Sequence, residues 1–168
     1  MEVAQRVLSG YGQSGVTDHA TGGACIPEFL LQYEESDWVF LRRLASHFGT
    51  YLLADATDAC GKVYFGVPEI SYGTVLDRQG YTMEKDMLHY ARVLEKEGVL
   101  SQEASCWNVT VRFFLRMWET LTFNGIEAVV TAMRLHTEKG ELVYSYVLAR
   151  RAGIRREKEK NPGIFGMS

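Results

Sequence analysis

The 168-residue sequence has no apolar run long enough to cross a membrane, and its N-terminus lacks a signal-peptide pattern. It has no excess of basic residues either, because its formal net charge is −3, whereas proteins that bind nucleic acids usually carry a basic face. Its three cysteines are odd in number and far apart, which favours a reducing compartment over a disulfide framework. With 46% apolar residues, the chain is predicted to be globular and to have no nucleic-acid partner.

Residue patterns that would carry chemistry are also missing. No histidine lies three or four residues from another histidine or from a cysteine, so no local metal site is predicted. Glu34, Glu35 and Asp37 form a carboxylate cluster that could support acid–base chemistry, but the start of a helix favours acidic residues in any case. We therefore predict no catalytic residue, no cofactor and no metal.

The stretch from 29 to 53 has the strongest periodicity in the chain. Apolar residues alternate with polar ones over 29–34, which predicts a half-buried strand. Ser36 is a suitable N-cap, and an apolar stripe at helical spacing then predicts a helix that ends at Gly49. The stripe consists of Trp38, Leu41, Leu44, Ala45 and Phe48, and the opposite, polar face of Arg42, Arg43, Ser46 and His47. A second strand is predicted over 50–53, and Trp38 and Leu41 are predicted to anchor the helix on the sheet.

The remainder of the chain predicts an α+β fold. Helices are expected over 2–11 and 86–97, a hairpin over 50–55 and 62–67, a strand over 105–114, and loops over 12–27 and 69–80. Asn124-Gly125 and the turn at Gly140 predict two further hairpins. We expect three segments: a helix–loop–strand–helix–hairpin unit over 1–68, an antiparallel meander over 69–152, and a linker toward a following domain over 153–168.

One segment also resembles a family signature. The segment 32–45, QYEESDWVFLRRLA, is similar to the pattern QYxE(S/T)DxxFLxRLA of phage late control D and VgrG proteins, the baseplate hub proteins of contractile injection systems. The residues proposed as a structural motif are Gln32, Tyr33, Glu34, Ser36, Asp37, Trp38, Phe40, Leu41 and Leu44. The resemblance extends to the strand over 62–68, the hairpins around 121–125 and 140–146, and the segment 161–166, and it is looser over 86–118.

The resemblance implies a structural protein with an antiparallel β-barrel-like domain and a packed strand–helix–strand unit. Such hub proteins form trimeric rings with pseudo-sixfold symmetry that join the tail tube to the spike. The expected partners are therefore two further copies, the tube and the spike, with no membrane contact in the resting state. The expected location is the bacterial cytoplasm during assembly and then the tail or baseplate. Early barrel strands would precede residue 1, and an OB-fold would follow residue 168.

Two other functions stay open on the sequence alone. A cell-wall hydrolase would bring scattered histidines and carboxylates into one cleft, and an adaptor would expose a large apolar patch. The aromatic density of 113–118 is more than one strand face can bury, which makes this segment a candidate assembly surface.

Overall fold

The computed structural model describes residues 2–12, 15–55 and 61–160. The chain divides into two compact units, one formed by 1–67 together with 156–168 and the other by 68–155. The described part contains no helix long and apolar enough to span a membrane.

The first unit packs two helices with a three-stranded sheet. Its elements are helix α1 (Glu2–Leu8) with a 3₁₀ turn (Ser9–Tyr11), strand β1 (Gly15–Asp18), helix α2 (Asp37–Ser46) and strands β2 (Leu52–Ala54) and β3 (Lys62–Phe65). The order is β1-β3-β2, with β3 parallel to β1 and antiparallel to β2. The core comprises Ala4, Phe40, Leu41, Leu44, Ala45, Leu52, Val63 and Phe65. The predicted helices over 2–11 and 38–48 and the pairing of the two predicted hairpin strands are confirmed, while the turn over 56–60 lies outside the described residues.

The predicted strand over 29–34 is wrong. No strand forms there, and the side chains of Phe29, Leu31 and Tyr33 are exposed. The backbone turns at Glu34, whose φ of 49° lies in the left-handed region, and the Leu31 carbonyl accepts a hydrogen bond from a side chain rather than from a strand. Alternation predicts a strand only where one face can be buried, and no sheet covers this face. The unit is therefore loop–helix–strand rather than strand–helix–strand.

The assignment of Trp38 to the buried stripe of α2 is also wrong. Its side chain is 43% exposed, whereas Phe40, Leu41, Leu44 and Ala45 are buried. At about 100° per residue, Trp38 lies roughly 90° from the centre of the buried stripe and in the first turn, where the core ends. The helical period correctly predicted the burial of Leu41, Leu44 and Ala45 and wrongly predicted that of Trp38.

The second unit is built on a six-stranded sheet. Its strands are β4 (Ile70–Leu76), β5 (Tyr81–Lys85), β6 (Ser105–Val111), β7 (Glu119–Phe123), β8 (Ile126–Glu138) and β9 (Glu141–Ala149). The order is β4-β7-β8-β9-β6-β5, and every neighbouring pair is antiparallel except β4 and β7. Between β5 and β6 the chain forms helix α3 (Met87–His89), a π-helical turn (Tyr90–Leu94) and two 3₁₀ turns (Glu95–Glu97 and Ser101–Ala104), and a last 3₁₀ turn (Arg151–Gly153) follows β9.

One face of this sheet is the core of the second unit. It contains Leu76, Trp107, Val109, Val111, Leu115, Leu121, Phe123, Ala128, Val130, Tyr146 and Leu148. The sheet curls, because Tyr81 on the last strand contacts Phe123 on the second strand with ring centroids 5.2 Å apart. The fold is thus α+β, as predicted, although the ladder does not close into a barrel among the described residues.

Local turn chemistry in the second unit is confirmed. Asn124 and Gly125, with φ of 47° and 77°, connect β7 to β8, and Lys139 and Gly140, with φ of 50° and 83°, connect β8 to β9. Positive φ at both central residues is what a two-residue hairpin turn of type I′ requires. In contrast, the loops predicted over 12–27 and 69–80 each contain a strand, β1 and β4, that pairs in parallel with a strand distant in sequence.

Candidate functional site

The family-like motif surrounds the N-terminus of α2. The Ser36 hydroxyl accepts from the Val39 amide at 3.4 Å, which is the predicted N-cap. Asp37 accepts two hydrogen bonds, one from the Gln32 amide group at 2.6 Å and one from the Tyr11 hydroxyl at 2.5 Å. These bonds lower the pKa of the Asp37 carboxyl, and the bond to Asp37 raises the pKa of the Tyr11 hydroxyl. The motif thus ties α1's 3₁₀ extension and the preceding loop to the start of α2.

Arg43 was predicted on the polar face of α2, yet its side chain is only 3% exposed. Its Nη2 donates to a Glu35 carboxylate oxygen at 2.5 Å and to the Leu31 carbonyl at 2.9 Å. Its guanidinium group also lies 5.3 Å from the centre of the Phe40 ring. Because the Glu35 side chain is itself only 9% exposed, this is a buried, hydrogen-bonded ion pair. The planar fork of arginine suits such a site, because it binds a carboxylate with two nitrogens at once.

The segment 156–160 covers the same side of α2. The Arg156 amide donates to the Gly49 carbonyl at 3.0 Å, and the Glu159 amide donates to the Ser46 hydroxyl at 2.9 Å. The Lys158 ammonium group pairs with Glu28 at 2.5 Å. This coverage buries Ser46, which sequence periodicity had placed in solvent. Within the charge run predicted as a solvated linker, the backbone at Arg156 and Glu159 is therefore bound at the C-terminal end of α2, while Glu157, Lys158 and Lys160 are exposed.

His47 lies beneath this segment with a side chain that is 4% exposed. Its Nδ1 is 3.9 Å from a Glu28 carboxylate oxygen, and its buried Nε2 has no hydrogen-bond partner among the described residues. Burial lowers the pKa of His47, and the nearby cations Lys158 and Arg43 lower it further, whereas Glu28 raises it. The sequence had predicted a surface histidine, because helical periodicity contains no information about a segment that returns from more than a hundred residues away.

The nine predicted motif residues fall into three groups. Phe40, Leu41 and Leu44 are buried in the core of the first unit, Gln32, Ser36 and Asp37 make the hydrogen bonds described above, and Tyr33, Glu34 and Trp38 are exposed or lie at a bend. The sequence missed Tyr11, Glu35 and Arg43 as members of the network. Glu35 and Arg43 both occupy fixed positions of the signature, and this acid and arginine eight positions apart were the signal that could have identified the pair.

The clustered carboxylates are engaged in structure. Glu35 pairs with Arg43, and Asp37 binds Gln32 and Tyr11, so neither is placed opposite a second carboxylate in a cleft. Within the described ranges, no group of three or more histidine, cysteine, aspartate or glutamate side chains is placed to hold a metal ion. The arrangement can therefore hold a loop, a helix and a returning segment together.

An open groove of about 450 Å³ also lies in the first unit. Its lining is mostly apolar and includes Ile26, Leu30, Phe48 and Phe65, together with the exposed Cys25. No histidine is among the described residues that line it, so a Cys–His pair is not assembled there.

The second unit exposes apolar side chains at one end of its sheet. Phe113 and Phe114 are exposed, and the Phe114 ring packs edge-on against Tyr144 with centroids 6.1 Å apart. Met133, Leu135 and Leu142 on the β8–β9 hairpin are 41%, 51% and 48% exposed. The candidate assembly segment 113–118 is thus one side of a larger apolar surface that includes the end of this hairpin.

Comparison with known proteins assigns the fold. No protein-family model and no curated protein matches the chain. Among solved structures, the 43 kDa tail protein of prophage MuSo2 from Shewanella oneidensis matches 95% of this chain and 64% of its own, with a TM-score of 0.64 at 10% identity. The E. coli c3393 protein is a type VI secretion component described as structurally similar to the T4 bacteriophage tail proteins gp27 and gp5. It matches 96% of this chain and 52% of its own, with a TM-score of 0.67 at 15% identity.

A tail protein from Neisseria meningitidis MC58 matches 92% of this chain and 66% of its own, with a TM-score of 0.57 at 11% identity. The chain thus has the fold of phage tail and type VI secretion proteins. It spans between about half and two thirds of the length of these three structures.

Proposed function

We propose that the chain is a structural component of a phage tail or of a phage-tail-like contractile injection apparatus. The observation that carries this proposal is a fold shared over at least 92% of the chain with two tail proteins and a type VI secretion component. The α2 network adds support for a structural role, because Gln32 and Asp37 hold the loop and the 3₁₀ turn after α1 to the start of α2.

Within that apparatus, the proposed position is the baseplate hub between the tail tube and the spike. Support comes from the late control D- and VgrG-like signature over 32–45, whose polar and apolar residues have separate structural roles in the first unit. The proposed assembly is a homotrimeric ring that contacts tube and spike proteins, and the proposed mode of action is mechanical rather than catalytic. The proposed location is the bacterial cytoplasm before assembly and the tail or baseplate afterwards.

The location of the protein in assembled particles tests this proposal. An epitope-tagged copy would be expressed in the bacterium that carries the gene, and tail particles would be purified and labelled with gold-conjugated antibody. The expected result is label at the end of the tube next to the spike. Label on fibres or along the sheath, or particles without the protein, would contradict the hub assignment.

A further inference from the structure

The sheet of the second unit has a free strand edge at the end of β8. Strand β8 is 13 residues long, but β7 pairs only with its first part, from Ile126 to Val129. The Trp118 amide donates to the Val130 carbonyl, and beyond that point no strand lies on this side of β8 among the described residues. The last seven residues of β8 are all exposed. We call residues 132–138 the β8 tip.

The β8 tip belongs to a two-stranded ribbon. Strand β9 pairs with it as far as Glu141, but β6 pairs with β9 only up to Tyr144. A two-stranded ribbon is marginally stable in water by itself, because it buries little apolar surface. A long exposed edge is also a ready template for another strand, and proteins that do not use such an edge usually protect it with a bulge, proline or charge. The bulge of β8 lies before the tip, between Val130 and Ala132, and leaves the tip accessible.

A second free edge lies at the other end of the sheet. Strand β5 pairs with β6 on one side and has no partner on the other among the described residues. All five of its residues are exposed, including Tyr81 and Met83 at 51% and 57%. The β8 tip and the whole of β5 are thus two free edges of the second unit. Strand β4, which pairs only with β7 among the described residues, has an unpaired outer side as well.

The side chains of both edges have the same two-faced pattern. In β8, Met133 and Leu135 are registered with Tyr146 and Tyr144 and share their face, while Arg134 points to the opposite face. In β5, Met83 is registered with the core residue Trp107, while Glu84 points to the opposite face and accepts from Asn108 at 2.9 Å. Each edge therefore has apolar side chains on the core face, joined in β5 by Lys85 at its end. The outer face carries Arg134 and, at the far end, Glu138 in β8, and Glu84 in β5.

We propose that the β8 tip of one copy pairs antiparallel with the β5 edge of a second copy. Directly opposite residues in an antiparallel pair share a face. In one register, Leu135 lies opposite Met83 of the second copy, and Arg134 lies opposite Glu84 of that copy. A shift of two residues in one direction still places apolar residues opposite each other, Met133 against Met83, but a shift in either direction separates Arg134 from Glu84. The charge pair therefore selects this register.

Pairing of the β8 tip with β5 of a second copy uses both of these edges, whereas pairing of two β8 tips uses only one of them. Pairing of two β8 tips around a two-fold axis would leave both β5 edges exposed. The β8-to-β5 contact joins two different surfaces, and repetition of such a contact closes a ring when the rotation between copies permits it. The inference rests on the ring assembly in the proposed function and specifies which strands would join its subunits.

One short strand pair is a small contact, and interfaces below about 1,000 Å² seldom hold by themselves. Disulfide trapping detects such a contact. Two variants, Leu135→Cys and Met83→Cys, would be mixed at high concentration and oxidised, and linked peptides would be identified by mass spectrometry, which separates this link from those of the native cysteines. The matched control replaces Leu135→Cys with Glu127→Cys, which is also exposed but lies where β7 covers the β8 edge.

We expect a link between positions 135 and 83 in the mixture, several-fold more abundant than any link between positions 127 and 83. Charge reversal provides a second measurement. R134E added to the Leu135→Cys variant, or E84R added to the Met83→Cys variant, should reduce the yield of the 135–83 link. The two reversals together should restore that yield. Equal yields for the two cysteine pairs, or a predominant 135–135 link, would overturn the inference. If the longer chain still forms rings in that case, only the strand assignment fails; absence of any ring would contradict the proposed function itself.

Discussion

At the scale of single residues, His47 combines deep burial with nearby charge. Its pKa is lowered from 6.5, chiefly by burial, so the unfolded chain binds a proton at a pH where the folded chain does not. The free energy of unfolding therefore falls as the pH drops below about 6.5 and continues to fall until the folded-state pKa is reached. The groups that face His47 are Glu28, Lys158 and Arg43, and Glu28 only partly offsets the loss.

We predict that lowering the pH from 7.5 to 5.5 destabilises the wild type by up to about 1.4 kcal/mol through this residue. His47→Gln should remove that part of the pH dependence, whereas His19→Gln, at an exposed position, should leave it unchanged. Urea unfolding at the two pH values measures both effects. An identical pH dependence in the wild type and the His47 variant would disprove this role.

Arg43 and Arg42 are adjacent arginines with opposite environments. Arg43→Met should cost about 3–5 kcal/mol, because it leaves the Glu35 carboxylate buried without its cation. Arg42→Met is the matched control: its side chain is 41% exposed and 4.0 Å from Glu159, so the expected cost is less than about 1 kcal/mol. Combining Arg43→Met with Glu35→Gln should recover part of the loss in chemical denaturation. Equal costs for the two single variants would show that the buried pair has no special role.

At the scale of elements, helix α2 depends on the middle of its apolar stripe. Leu41 is 1% exposed, and Leu41→Ala should destabilise the protein by about 2–5 kcal/mol. Trp38→Ala should cost about 1 kcal/mol or less, because the ring lies largely in solvent and its removal opens no buried cavity. Thermal unfolding of both variants measures the difference. A larger loss for Trp38 than for Leu41 would contradict the described orientation of α2.

The elements that could be predicted from the sequence are those fixed by neighbouring residues. The N-cap at Ser36 and the turn at Asn124-Gly125 depend on short-range chemistry and are confirmed. Strands β1 and β4 were missed because their parallel partners are distant in sequence, and such pairing has no local turn signal. The burial of Arg43 and His47 was missed for a similar reason, because the groups that cover them lie outside the helix. Arg43 is covered by Glu35 and Leu31, and His47 is covered by the segment 156–160.

At the scale of the whole molecule, we predict that the protein does not cleave peptidoglycan. Glu35 and Asp37 are bound to Arg43, Gln32 and Tyr11, and these contacts join parts of the first unit. Purified protein incubated with cell-wall sacculi should release no soluble fragments above a buffer control. Release that disappears in Glu35→Gln or Asp37→Asn variants that still fold would favour the hydrolase.

Assembly size is the property that most directly separates a hub subunit from an adaptor. If the chain is part of a trimeric ring, each copy must present two different surfaces, and the free edges of β8 and β5 supply two such surfaces in the second unit. The chain spans no more than 66% of any of the three solved structures described above, and a longer chain would add contacts. We therefore expect this 168-residue chain to be a monomer or a weak oligomer, and a chain extended at both ends to be a trimer.

Light scattering coupled to size exclusion measures both chains at matched concentrations. If the extended chain is a trimer, the ring is supported. If R134E then reduces the fraction of trimer, part of the stability of the ring comes from the β8 tip. R134E should leave the melting temperature of the 168-residue chain nearly unchanged, because Arg134 is exposed, so a loss of trimer would reflect the interface rather than the fold. A monomeric extended chain would contradict the hub assignment, because a single copy cannot form a ring between tube and spike.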